Sequence, residues 1–128
     1  MQHWVGRWII GVGVLHSVIG FILFAAPLRE IAAAGFWNTL NPGTPMRYLA
    51  FWFLFAGVWT MLIGYLADWI ERVAGRVLPR GLGWTLLGAA VAGVLVTPRS
   101  GFWLVFPAAW GALAQSRPIT PVPTAPGR

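Results

Sequence analysis

Few side chains in this sequence can do acid–base or ligand chemistry. The 128 residues include no cysteine, two histidines and three carboxylates. The lack of cysteine excludes disulfides, iron–sulfur clusters and cysteine-bound zinc. The sequence contains no P-loop, dinucleotide-binding, HExxH or GxSxG motif, and no nucleophile has an evident base. An enzyme therefore ranks behind a binding protein and a structural subunit.

His16 is the most unusual of these groups, because it lies inside an uncharged apolar run, residues 8–28. On a helix it shares one face with the small residues Gly13, Ser17 and Gly20. Small residues mark the surfaces through which membrane helices approach each other. The imidazole is therefore expected to point into a helical bundle.

Depth along the helices suggests which side chains lie beside this histidine. At 1.5 Å per residue, His16, Thr60 and Trp110 lie roughly 13, 12 and 10 Å inside the nearest charged residue. We expect these three side chains to meet in one buried polar layer. His16, Ser17, Thr60 and Trp110 are the candidate ligand-binding residues.

Two interpretations of His16 stay open. One is a neutral imidazole that hydrogen-bonds across helices, worth about 0.6 to 2 kcal/mol. The other is a ligand or proton site, the usual role of an ionisable group inside a membrane. A second membrane-embedded histidine is missing, so one chain cannot supply both axial ligands of a haem. A haem shared by two His16 side chains in a dimer, or a bound quinone, stays open; no other cofactor and no metal is predicted.

The composition indicates which secondary-structure elements carry the candidate residues. The chain is 58% hydrophobic and only 9% charged, whereas globular proteins are about 25% charged. Charged residues separate four apolar stretches, each close to the roughly 20 residues that cross a bilayer. We predict an all-α, four-helix transmembrane bundle made of two antiparallel hairpins, with a short interfacial segment after the first helix. The spans are about 8–27, 48–67, 81–98 and 100–116, within a domain of residues 1–115.

Small residues recur every seven positions along these spans, which predicts the interhelical faces within the bundle or between protomers. The four stripes are Gly6, Gly13 and Gly20; Ala50, Gly57 and Gly64; Gly81 and Gly88; and Ala108 and Ala112.

All nine basic residues are arginines, and they stand singly at the edges of apolar runs. This placement is typical of residues that contact lipid headgroups, so nucleic acid is excluded as a partner. Six arginines fall on the side of the termini and the 68–80 connection, and three on the other side. The positive-inside rule then places both termini in the cytoplasm. Residues 116–128 contain four prolines and are predicted to be a disordered cytoplasmic tail.

Several of these segments resemble a family of small bacterial four-helix membrane proteins whose function is unknown. The resemblance covers about residues 4–112, and Ser100-Gly101-Phe102-Trp103 is its most specific element. The remaining matching segments are 16–20, Pro27, Gly35 with Asn38, Phe51-Trp52 with Gly57 and Gly64, and Pro79-Arg80 with Leu82-Gly83-Trp84. The resemblance implies a multi-pass protein of the bacterial inner membrane and implies no activity.

Two functional hypotheses follow. The first is a non-enzymatic membrane protein that binds a hydrophobic small molecule or lipid within its bundle. The alternative is a structural or regulatory subunit that packs through its small-residue stripes against another membrane protein, or against a second copy in a homodimer.

Overall fold

The computed structural model describes residues 3–115, which contain five α-helices and no strand. The all-α prediction is confirmed. The helices are α1 (Val5–Leu23), α2 (Ala25–Ala33), α3 (Pro45–Arg72), α4 (Arg80–Val96) and α5 (Val105–Gln115), and a 3-10 turn, Gly101–Leu104, precedes α5. Two of them, α1 and α3, are long and apolar enough to cross a membrane, and α4 is a shorter apolar helix. The predicted tail lies outside the described residues.

Two of the predicted spans are interrupted, and a proline explains each break. The first span ends at Leu23, and Phe24 leaves the helical conformation before α2 begins. In a continuous helix the ring of Pro27 would clash with the carbonyl of Leu23. Proline also has no backbone N–H group that could donate a hydrogen bond to that carbonyl. Pro107 would clash in the same way with the carbonyl of Trp103, four residues earlier. The α-helical part of the predicted fourth span accordingly begins only at Val105. The segment after α1 is thus a separate short helix, and the last helix is shorter than its apolar run.

The helices α1 and α3 pack antiparallel along their glycine stripes, as the seven-residue repeat predicts. A Cβ atom added at Gly13 would lie 2.7 Å from Cγ of Met61, and one at Gly20 would lie 2.8 Å from Cδ2 of Leu54. Likewise, a Cβ atom at Gly64 would lie 2.6 Å from the backbone nitrogen of Ile10. At Gly13 and Gly64 the added atom would press on the backbone of the opposite helix, and at Gly20 on its side chains, so glycine sets the distance between α1 and α3.

On α4 the packed stripe differs from the predicted one. Within residues 3–115 nothing lies within 4 Å of a Cβ atom added at Gly81 or Gly88, so the predicted stripe is not a packed face in this part of the chain. Gly83 and Ala90 are buried instead, and a Cβ atom at Gly83 would lie 2.7 Å from Cγ of Leu113 on α5. The packed stripe keeps the seven-residue repeat but is displaced by two positions, because α5 covers that side of α4.

The core lies at one end of the molecule, where the start of α1 meets the end of α3 and the middle of α5. The buried cluster there consists of Val5, Ile9, Ala67, Leu78, Ala108 and Ala112. The buried Ala108 and Ala112 confirm the predicted stripe on the last helix. Because α5 starts late, it covers this end of α1 and leaves the other end uncovered.

Candidate functional site

A cavity of about 530 Å³ opens where α5 does not reach, between α1, α3 and the segment 99–105. Its walls are mostly apolar, and its volume lies within the range of small-molecule sites. The lining side chains include His16 from α1 and Thr60 from α3, with Arg99 and Ser100 near the 3-10 turn. The apolar lining comes from Val12, Leu15, Ile19, Leu23, Phe53, Ala56, Phe102, Leu104 and Val105.

His16 is held against α3 by its ring and by one ring nitrogen. Nε2 lies 2.8 Å from the carbonyl oxygen of Phe53, and the imidazole stacks on the Phe53 ring with centroids 3.9 Å apart. Since a carbonyl only accepts hydrogen bonds, Nε2 carries the hydrogen and Nδ1 is the acceptor in the neutral ring. Within residues 3–115 no group donates a hydrogen bond to Nδ1.

Ser17 and Thr60 both bond to the backbone of their own helix, but they occupy different places. The Ser17 hydroxyl donates to the carbonyl of Gly13 over 2.9 Å and packs against Gly57, inside the α1–α3 interface. Thr60 donates to the carbonyl of Ala56 over 2.8 Å and lines the cavity. Ser17 therefore supports the helix contact, and Thr60 joins His16 in the cavity wall.

Trp110 does not join the predicted polar layer. Its side chain is 76% exposed and is not part of the cavity wall. The neighbouring Ala108, Ala109 and Gly111 are the buried face of α5, so the indole at 110 points outward. The number of residues along a span predicts how deep a side chain lies. It does not predict whether the side chain points inward or outward, because that depends on which face of the helix packs against its neighbours.

The segment 99–105 closes one side of the cavity and is held by a set of local bonds. Ser100 caps the 3-10 turn by accepting from the backbone nitrogen of Phe102, and the Phe102 ring packs on Gly93 of α4. The Trp103 indole donates to the carbonyl of Pro98 over 2.9 Å. A tryptophan of α1, Trp8, donates to the carbonyl of Leu104 over 2.8 Å. Three residues of the Ser-Gly-Phe-Trp element, Ser100, Gly101 and Phe102, thus form part of the cavity wall.

The whole described region falls within one known family. The sequence profile of the Family of unknown function DUF6463 matches residues 1–118. This chain belongs to the DUF6463 family. The predicted membership in a family of unknown function is confirmed, and the match includes every residue of the cavity wall. Neither the curated proteins nor the solved structures contain a match to the chain.

A carboxylate that lies outside the predicted second span, 48–67, is buried in this DUF6463 protein. Glu71 is 0% exposed. One carboxylate oxygen accepts from the backbone nitrogen of Gly6 over 3.1 Å, and the other accepts from Nε2 of Gln115 over 2.8 Å. Gly6 lies in the first turn of α1, where amide groups lack helical partners and favour a negative charge. Glu71 therefore joins the ends of three helices.

A signal for Glu71 was present in the sequence. The small-residue stripe of the second span, Ala50, Gly57 and Gly64, reaches Glu71 after one more step of seven. Extending the repeat past the charged boundary at Asp68 would have placed this carboxylate on the buried face of the DUF6463 fold.

The other two carboxylates form ion pairs at the surface. Asp68 accepts two hydrogen bonds of 2.8 Å from Arg72, four residues further along α3, and lies 3.8 Å from Nε of Arg7. Glu30 pairs with Arg47 at 3.0 Å. No cluster of three metal-ligating side chains occurs among residues 3–115 of this DUF6463 chain.

A second, larger depression of about 630 Å³ adjoins the connection between α3 and α4. All its lining residues come from one stretch, 69–79, and Arg76 is its only charged one. A single stretch of chain supplies one wall, whereas the His16 cavity is enclosed from three sides. The candidate site is therefore the His16 cavity.

Proposed function

We propose that this DUF6463 protein binds one hydrophobic small molecule or lipid in the cavity lined by His16 and Thr60, without transforming it. The observation that supports this proposal is the cavity. It offers about 530 Å³ of mostly apolar space, with two polar side chains on facing helices and arginine at its exposed rim. Apolar sites with a few placed polar groups are the usual form of small-molecule sites.

The proposed setting is the inner membrane of a bacterium, with four segments crossing and both termini in the cytoplasm. Two helices are long and apolar enough to cross. The shorter segments, α4 and 101–115, are proposed to complete the bundle beside them. The two-to-one bias of arginines toward the side of the termini supports the orientation.

Single cysteines test this topology, since the chain has none of its own. Trp37 and Val73 are both exposed and lie in the first and second connections, on opposite sides of the proposed membrane. A membrane-impermeant maleimide should label Trp37→Cys in intact cells and Val73→Cys only after permeabilisation. The reverse pattern would overturn the orientation, and equal labelling of both would overturn the spanning topology.

A second function is favoured by one observation. Among the residues that the structure describes, nothing lies within 4 Å of a Cβ atom added at Gly81 or Gly88 of α4, and small residues are the surfaces that membrane helices use for close contact. This face of α4 supports the alternative proposal of a subunit that packs against another membrane protein or a second copy of the chain.

Native mass spectrometry of the gently solubilised protein separates the two proposals. A stoichiometric small molecule on the monomer supports ligand binding, and a stoichiometric protein partner supports the subunit. A substitution that fills the cavity sharpens the result. Ala56→Phe, on the cavity wall, should remove the small molecule, whereas Val58→Phe, on the outer face of α3, should retain it. Full occupancy in Ala56→Phe would exclude this cavity as the site.

A further inference from the structure

The polar atoms of the cavity have assigned hydrogen-bond roles, and these roles restrict what can bind. We infer that the bound molecule carries a hydrogen-bond donor, an alcohol or a phenol, on an apolar body, and that it places this donor beside His16 and Thr60. The inference rests on the proposed binding function and names the chemical class of the ligand.

The first acceptor is Nδ1 of His16. The Nε2–Cδ2 edge of the ring faces α3, because Nε2 bonds the Phe53 carbonyl and Cδ2 lies 3.2 Å from a Cβ atom added at Gly57. In an imidazole ring, Nδ1 is the atom opposite that edge. Since Nε2 carries the hydrogen, Nδ1 offers a lone pair on the side away from α3.

The second acceptor is the hydroxyl oxygen of Thr60. A hydroxyl has one hydrogen, and Thr60 donates it to the Ala56 carbonyl over 2.8 Å. Only lone pairs remain for a ligand. The lining group that can only donate, Arg99, comes from the other side of the cavity and is exposed at the rim, and the Ser100 hydroxyl beside it accepts from the backbone nitrogen of Phe102.

A molecule that offers only an acceptor is therefore disfavoured beside His16. A ketone, aldehyde or quinone oxygen would face lone pairs there and would lose its hydrogen bonds to water without replacement. Sites that pair with a hydroxyl group discriminate strongly against analogues lacking it. A quinol or isoprenoid alcohol fits these roles, and the oxidised quinone or the aldehyde does not.

Three probes with one carbon skeleton test the inference: a C15 isoprenoid alcohol, its aldehyde and its methyl ether. Binding to the full chain in detergent is measured by calorimetry and by native mass spectrometry. We expect the alcohol to bind about ten- to a hundredfold more tightly than the aldehyde or the ether, as the loss of one hydrogen bond predicts.

Variants assign the preference to the two acceptors. His16→Leu should reduce alcohol binding to the level of the ether. Thr60→Val, which keeps the shape and removes the acceptor, should weaken alcohol binding in the same direction and covers the case in which His16→Leu does not fold. Ser17→Ala, one residue from His16 but outside the cavity wall, is the matched control and should keep the full preference.

The outcomes distinguish this inference from the proposed function. If all three probes bind equally and Ala56→Phe blocks all of them, the cavity binds hydrophobic molecules and the donor requirement is wrong. If the aldehyde binds more tightly than the alcohol, the assigned roles of Nδ1 and Thr60 are reversed and the inference is overturned. If no probe binds and the native protein carries no small molecule, both proposals fall.

Discussion

The two ends of the α1–α3 pair share one glycine repeat but differ in what covers them. At the Gly6 end, α5 packs over the pair, and both Val5 and Glu71 are fully buried. At the Gly20 end, the segment 99–105 replaces a helix, and Leu23 in the cavity wall is 66% exposed. The Gly6 end is closed by packing and hydrogen bonds, and we call it the closed end. The Gly20 end holds the cavity, and we call it the open end.

The difference shows that one short helix can divide a small bundle into a stable part and a binding part. The late start of α5, next to Pro107, leaves the space that the cavity occupies. Buried contacts at the closed end hold the three helices together, so the open end does not need to be filled for the fold to persist. Substitutions should therefore separate stability from ligand binding according to the end they affect.

The largest expected effect is on the α1–α3 contact, which both ends share. Gly64→Leu would push a side chain into the backbone of Ile10, and overpacking of this kind costs about 1 to 3 kcal/mol or more. We expect a strong fall in the melting temperature in detergent together with loss of any bound molecule. Gly11→Leu is the control, since nothing lies near a Cβ atom at Gly11. Equal melting temperatures for the two variants would contradict the glycine contact.

The next largest effect should be confined to the closed end. Glu71→Ala leaves the buried Gly6 amide without its acceptor, at about 1 to 3 kcal/mol, and removes the hydrogen bond from the half-buried Gln115 side chain. Glu71→Gln keeps one acceptor oxygen and should lose less. We expect thermal unfolding to rank wild type above Glu71→Gln and Glu71→Ala last. Ligand occupancy measured well below the melting temperature should be the same in all three.

A smaller change in stability, with a large change in binding, is expected at the open end. His16→Leu removes one interhelical hydrogen bond, worth about 0.6 to 2 kcal/mol, and keeps most of the apolar contact. The melting temperature should shift by less than in Glu71→Ala, while the bound molecule is lost. If His16→Leu keeps full ligand occupancy, His16 is a structural residue and the site assignment is wrong.

The smallest effect is expected for the surface ion pair beside the closed end. Arg72→Gln removes the paired hydrogen bonds to Asp68, but both side chains contact solvent and Arg7 stays near the carboxylate. We expect little change in melting temperature, and a smaller difference from wild type at high salt than at low salt. A drop as large as that of Glu71→Ala would show that the closed end depends on its surface charges.

The sequence was sufficient to predict the all-α class and the interface between α1 and α3, and the remaining differences have physical reasons. Charge spacing located the apolar runs, and the seven-residue repeat predicted the α1–α3 contact correctly. The prolines at 27 and 107 could have predicted both interruptions, and one more step of the repeat could have predicted Glu71. The Phe53 carbonyl that bonds His16 could not be predicted, because a backbone acceptor is the same at every residue. The prediction for Trp110 was wrong because the spacing of residues predicts how deep a side chain lies and does not predict which face of the helix is packed.

The unequal helix lengths have a consequence for the surrounding lipid. At 1.5 Å per residue, α3 is about 42 Å long, whereas the 3-10 turn and α5 together extend about 24 Å. A bilayer with a hydrocarbon thickness of about 30 Å matches the uncharged part of α3, residues 48–67, and exceeds the length of the last segment. In the topology proposed above, the charged end of α3 projects beyond one leaflet, and the lipid beside α5 becomes thinner. Mismatch costs fractions of a kcal/mol per ångström, which is enough to sort proteins between membranes. The protein is therefore expected to concentrate in thin membranes and to lose stability as acyl chains lengthen.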